Sequence, residues 1–166
     1  MRPEVLKNLN MFFDGRGKAG RIEEFVTPKI THKIEEFRGG GMNVPIELEM
    51  GMEKLEASFT IKEHVRENAA SLGLLDGQSI QITLRGAVDT GNEVKSIVIQ
   101  MRGRAKEMDQ GTWKPGEDTP IKFALSLDYY KYLIAGSEVL EIDVLNFIYK
   151  VNGTDKLEEQ RRALGI

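Results

Sequence analysis

The sequence predicts a mainly β, α+β fold: an antiparallel β-sandwich or barrel of six or seven strands flanked by a short helix. Three observations predict it. Apolar and polar residues alternate with period two along most of the chain, the mark of half-buried strands. Turn signals rich in glycine, proline and aspartate separate these stretches. Only two short stretches carry the helical period instead.

At 166 residues the chain suits one domain, because a chain near this size buries roughly 70% of its unfolded surface. Residues 1–166 are therefore read as a single domain. Residues 21–33 read as a strand with a kink or edge at Pro28, since proline cannot donate to a ladder. Residues 35–45, with three consecutive glycines at Gly39, Gly40 and Gly41, read as a mobile or specially shaped loop whose glycine-rich part is 37–45. Ile46, Leu48 and Met50 then alternate with Glu47 and Glu49. After a bend near 51–54, Leu55, Ala57, Phe59 and Ile61 alternate with Glu56, Ser58 and Thr60. Both apolar rows call for a core.

In 63–72, Val65, Ala69 and Leu72 fall on one helical face, with Gly73 as the stop. Strand alternation resumes at Ile80, Ile82 and Leu84, and again at Ile97, Ile99 and Met101, across a turn at 89–92. Past a Pro/Gly turn at 113–118, Ile121, Phe123, Leu125 and Leu127 alternate. Tyr130, Tyr132 and Ile134 continue in the opposite phase, which calls for a bulge at Asp128–Tyr129. A turn at 135–137 leads into an extended stretch at 138–149. Residues 155–164 read as a C-terminal helix, capped by Thr154 and with acidic residues at its positive end.

Composition excludes several function classes. The net charge of −3 lacks the positive excess of a duplex-binding protein. With no cysteine, disulfides, thiolate metal sites and a cysteine nucleophile are out, which fits assembly in a reducing cytoplasm. The first thirteen residues have no apolar run of signal-peptide type. No apolar run approaches the roughly 20 residues of a spanning helix.

No catalytic constellation stands out. Asp89-Thr90-Gly91 matches the aspartic-protease triplet, but that chemistry needs two such carboxylates, and the flanks read as a hairpin turn. His32 and His64 have no metal or triad spacing around them. The glycine run lacks the Lys-Ser/Thr and helix start of a phosphate loop. Arg102, Arg104 and Lys106 alternate on one face and read as a solvated row paired with acidic neighbours. Glu47, Glu49, Glu53 and Glu56 read as a polar sheet face. No catalytic, cofactor-binding or metal residue is predicted. The competing reading, a small β-barrel binding module or enzyme, would need a pocket lined by convergent polar groups.

Several strings, in order and spacing, resemble one family. They are Leu9-Asn10-Met11-Phe12 with Asp14-Gly15, Thr27-Pro28-Lys29-Ile30, and Arg38-Gly39-Gly40-Gly41-Met42. Next come Met101-Arg102-Gly103-Arg104 with Lys106-Glu107, Asp109, Gly111, Lys114 and Gly116-Glu117. Tyr129-Tyr130-Lys131, Glu141-Ile142-Asp143, Asn146 and the ending Arg161-Arg162-Ala163-Leu164-Gly165 complete the set. The chain resembles the major tail tube proteins of contractile-tailed phages and their relatives in R-type pyocins. The middle, 61–78, matches least.

The resemblance implies a structural subunit with no enzyme activity and no cofactor. Six copies would form a ring whose strands join into one inner barrel, and rings would stack into a hollow tube, as in type VI secretion tubes. A contracting sheath would drive that tube through the target envelope, conducting DNA in a phage. Implied partners are the sheath, baseplate, tape-measure and tail terminator proteins, and implied assembly is in the host bacterial cytoplasm. Joined sheets leave no free edge, which is what a strand-rich subunit needs. From the residues, Phe37, Arg38, Gly39, Gly40, Gly41 and Met42 are expected at a ring-to-ring contact. Arg161 and Arg162 are expected either at a subunit contact or capping their own helix. Glu47, Glu49 and Glu56 are expected to face the lumen, where acidic groups repel DNA phosphates.

Overall fold

The computed structural model describes residues 2–73 and 78–166. In chain order the strands are β1 (Val5–Phe13), β2 (Arg16–Gly17), β3 (Ile22–Val26), β4 (His32–Phe37), β5 (Ile46–Met52) and β6 (Leu55–Ile61). A short helix, α1 (Arg66–Ala70), and a 3-10 turn follow. Then come β7 (Ile80–Asp89), β8 (Val94–Asp109), β9 (Ile121–Ile134), β10 (Ser137–Asp143), β11 (Ile148–Val151), β12 (Thr154–Asp155) and α2 (Glu158–Leu164).

All pairings are antiparallel. One layer runs β2-β1-β7-β8-β9-β10-β11-β12, and β3 and β6 extend the other layer from the first half of β9. The long strands β8 and β9 belong to both layers. They pass from one to the other through register shifts at Arg102/Gly103 and Ala105/Glu107. The predicted bulge is here: Arg102 faces Tyr129, Gly103 faces Leu127, and Asp128 is the extra residue. The two backbones close so tightly that a Cβ on Gly103 would lie 2.1 Å from the Ser126 carbonyl oxygen. Only glycine fits that corner.

The core lies between the layers. Met11, Phe13, Ile82, Leu84 and Met101 pack against Leu55, Phe59, Ile61, Phe123 and Leu125. Phe59, 1% exposed, stacks on Phe123 at 5.0 Å and on Phe25 at 6.0 Å, and meets Phe13 edge-on at 6.0 Å. Offset and edge-on rings of this kind add to the gain from area burial alone.

Several expectations need correction. The chain holds more strands than six or seven, and one of them, the nine-residue β1, lies near the edge of its layer with only the two-residue β2 outside it. The stretch 21–33 is not one strand: it breaks around Pro28 into β3 and β4, which join different sheets. The loop is shorter than 35–45, because Glu35, Glu36 and Phe37 are still paired in β4. The helix at 63–72 shrinks to α1 and the 3-10 turn, and its buried residues are Asn68 and Ser71, not the Val65/Ala69/Leu72 face. The physical reason is a polar anchor. Glu63 accepts from Lys18 at 2.5 Å, Arg21 at 2.5 Å and Asn68 at 3.2 Å. Burial by itself would raise the Glu63 carboxyl, but these donors bring it below its usual range. The C-terminal helix starts at Glu158, not 155, and Thr154 does not cap it. Thr154 and Asp155 instead pair with β11.

Candidate assembly surface

Strands β4 and β5 form a two-stranded sheet of their own. The register sets Phe37 against Ile46, Glu36 against Glu47, Glu35 against Leu48 and Ile34 against Glu49. Paired residues share a face, and faces alternate along a strand. One face of the hairpin is therefore mostly apolar, with Phe37, Ile46, Leu48 and Met50 beside Glu35. The other is mostly acidic, with Glu36, Glu47 and Glu49 beside Ile34. The four apolar residues are 41–53% exposed. The expectation that this apolar row packs into its own core is overturned: the row stays about half exposed, and among the described residues β5 pairs only with β4.

The tip is shaped rather than slack. Arg38 Nε donates to the Met42 carbonyl at 3.0 Å, and Met42 N donates to that of Gly39 at 3.2 Å. Gly39 sits under the Phe37 ring beside the Met42 sulfur, where a Cβ would press on the ring. Gly41 takes a φ of +83°. The tip residues Phe37, Arg38, Gly39, Gly40, Gly41 and Met42 thus come together as one ordered turn. At the root, His32 Nδ1 lies 3.3 Å from Glu49 Oε1 and its Nε2 3.5 Å from the Tyr149 hydroxyl, with the Tyr149 ring edge-on.

Tyr149 belongs to a second surface. The turn between β10 and β11 and the helix α2 expose Val144, Leu145, Phe147, Leu164 and Ile166. Phe147 holds a φ of +56°, a conformation a bulky residue keeps only when its surroundings enforce it. Those surroundings are Asp143, which accepts from Asn146 N at 3.3 Å and Nδ2 at 2.7 Å, and Arg161, which donates to the Phe147 carbonyl at 2.8 Å. Arg161 also pairs with Asp155, and that hydrogen bond holds the Asp155 carboxyl down to about 2. Arg162 reaches Glu158 on its own helix at 3.4 Å. Both arginines make contacts within the subunit. The sequence missed the surface that Arg161 shapes; the signal was the run of apolar residues at 144–148, set among turn formers. Between this surface and the hairpin root lies a mostly apolar groove of about 1050 Å³.

The remaining predicted residues sort differently. Glu47 and Glu49 share the acidic hairpin face, whereas Glu56 lies apart on β6, paired with Lys106 and, at 3.1 Å, with Lys54. The lysines lower its carboxyl. Arg102 donates to Asp128 at 2.9 Å, approaches Asp143 at 3.7 Å and stacks on Tyr129. The basic row is therefore an ion-paired face at Arg102 and Lys106. Asp89 Oδ1 accepts from Gly91 N at 2.7 Å, which makes the protease-like triplet a turn. His64 contacts Thr119 and the Trp113 ring beside a smaller surface hollow. Among the described residues, no cluster of three His, Cys, Asp or Glu could hold a metal. Neither hollow gathers the acid, base and oxyanion donors that catalysis needs.

Comparison with known proteins agrees with this picture. A family described as "Phage tail tube protein FII" matches residues 3–165. The tail tube protein of Escherichia phage P2 is 35% identical, over 99% of this chain and 98% of its own. The major tail tube protein of Serratia phage KSP20 is 33% identical, over 91% and 89%. Among solved structures, the sheath–tube complex of an extracellular contractile injection system in the extended state contains a similar chain. Its TM-score is 0.63 at 10% identity, over 79% of this chain and 91% of that one. A chain of the sheath/tube terminator of such a system gives 0.61 at 9%, over 80% and 98%. At these identities the likeness shows the fold.

Proposed function

This chain belongs to the phage tail tube protein family, a structural family and not an enzyme, and from that premise we propose that six copies close into a ring and that rings stack into a hollow tube. The observation that carries the reading is the hairpin: a projecting two-stranded sheet with an apolar face that its own subunit leaves bare. An isolated hairpin is marginal in water, so a neighbour must cover it. The tip from Phe37 to Met42, already ordered, makes the ring-to-ring contact.

Free strand edges support ring closure. From Val5 to Asn10, β1 pairs with β7 on one side and with no strand on the other. At the far end of the layer, β11 is covered only by the two-residue β12. Joining such edges around a ring removes an aggregation hazard and builds a continuous barrel. A heterologous contact that closes in the ring direction can still propagate along the axis.

Within this reading a sheath surrounds the tube and drives it through the target envelope. Baseplate, tape-measure and terminator proteins start, measure and stop it, and assembly takes place in the host cytoplasm. The acidic groups Glu47, Glu49 and Glu56 line the channel and keep passing DNA from adhering. Glu47 is the strongest of the three, because Glu36 stands directly opposite and, among the described residues, no cation pairs with either one.

Negative-stain electron microscopy of the concentrated protein tests the proposal. Six-fold rings or hollow tubes are expected. Small featureless particles alone, even with baseplates or preformed tube ends as nuclei, would overturn it.

A further inference from the structure

We propose that the groove between the hairpin root and α2 is the receptor for the hairpin of a second copy of this chain. It would take up the apolar face of that hairpin, Phe37, Ile46 and Leu48. This rests on the tube reading above and adds the surface that receives the hairpin.

Three observations converge. The first is self-complementarity. One chain carries an uncovered apolar tongue and an uncovered apolar groove, the latter lined by Met50, Met52, Val144, Phe147, Leu164 and Ile166. Met50, at the hairpin root, belongs to the groove, whereas Phe37, Ile46 and Leu48 lie farther out on the tongue; the docking parts are distinct, so the contact is head-to-tail and propagates instead of closing as a pair. Only one face of the tongue can be buried, since the other carries Glu36, Glu47 and Glu49.

The second is rigidity. An exposed phenylalanine in the left-handed region is costly to hold, yet Phe147 is held there by Asp143 through Asn146 and by Arg161 at its carbonyl. A pre-set aromatic anchor loses little entropy on contact and suits the centre of an interface. Arg161 positions this anchor and does not itself make the contact.

The third is charge. Glu35 shares the apolar face with Leu48 and has no ion-pair partner among the described residues. Lys156, exposed on the rim of the groove, has none either. Docking the tongue gives each a counter-charge.

The absence of cysteine makes cross-linking clean. Tubes assembled from Leu48→Cys/Phe147→Cys and then oxidised should give a ladder of covalent multimers on denaturing gels, while each single variant stays monomeric. Tubes that form normally but yield no ladder would overturn the groove assignment and leave the tube reading intact. Absence of tubes from the unsubstituted chain would count against the tube reading itself. If the cysteine pair blocks assembly, the charge pair decides. Glu35→Lys and Lys156→Glu should each lower the yield of tubes at least tenfold, and the double variant should restore it. A double variant no better than the singles would overturn the proposal, including in favour of a sheath-type partner in the groove.

Discussion

Leu55, Ala57, Phe59 and Ile61 on β6 are buried, while Ile46, Leu48 and Met50 on β5, just upstream in the chain, are exposed. Both rows alternate with charged or polar residues in the same way. What separates them is what lies opposite: β6 faces a second layer of its own subunit, and among the described residues no layer lies over β5. Alternation reports that a face will be covered, and it is silent about which molecule covers it. In a polymer subunit those are separate facts. The core stabilises the monomer, and in the proposed assembly the exposed face would stabilise the polymer.

The sharpest way to break this comparison is to truncate one residue from each row. Phe59→Ala should cost the free subunit about 3–5 kcal/mol in urea unfolding, as large aromatic deletions in cores do. Leu48→Ala should cost less than about 0.5 kcal/mol, as exposed substitutions do, yet reduce tube formation in electron micrographs. Similar unfolding costs at the two sites would mean the hairpin folds back onto the sandwich in solution.

Gly103→Ala tests the corner that joins the layers. The added methyl meets backbone on the facing strand, and relief requires the strands to part. A loss of about 3 kcal/mol is expected from overpacking. A midpoint unchanged from the parent would show that the corner can open freely.

A smaller effect is expected at the turn and helix beside the groove, and it depends on pH. The Asp155 carboxyl sits at about 2, below its usual 3.8, through its hydrogen bond to Arg161. A depressed value contributes stability above the unfolded value and loses it as the pH falls. The thermal midpoints of the parent and Asp155→Asn should therefore differ near pH 5 and converge toward pH 2. A constant gap would mean that the pair adds nothing through its charge.

The smallest effect belongs to the tongue. Glu36 and Glu47 are like charges directly across the hairpin, so Glu47→Gln should stabilise the free subunit by about 0.2–1 kcal/mol at low salt, and less at high salt. Destabilisation instead would indicate a hidden cation.

How much of this was legible follows from the physics of each element. The bulge at Asp128 was readable because the apolar row changes parity between Leu127 and Tyr130, and a strand cannot change parity without an extra residue. The turns at 89–92 and 113–118 carried their own chemistry. β1 was harder to see because its first half, Val5 to Asn8, is exposed at a layer edge and has no reason to alternate. α1 misled because its helical period pointed to an apolar face, while Glu63, Lys18 and Asn68 fix it through polar contacts between residues far apart in sequence. The hairpin tip could be read from its glycines and the apolar patch beside α2 could not, since five separate apolar residues on a turn and at the C-terminal helix become one surface only once folded. Arg161 was visible as a charged residue near the C-terminus; its hold on the Phe147 carbonyl depends on a turn fourteen residues upstream.

A last consequence concerns mechanical load. In many two-layer proteins the layers meet only through side chains, and a shearing force is resisted by packing alone. Here β8, with 16 residues, and β9, with 14, run unbroken from one layer into the other. Sliding one layer past its partner would have to stretch two covalent backbones and unzip the ladder between them. In the proposed tube, pushed end-on and compressed along its length, such a subunit would carry the thrust as a braced strut rather than as two plates held by friction.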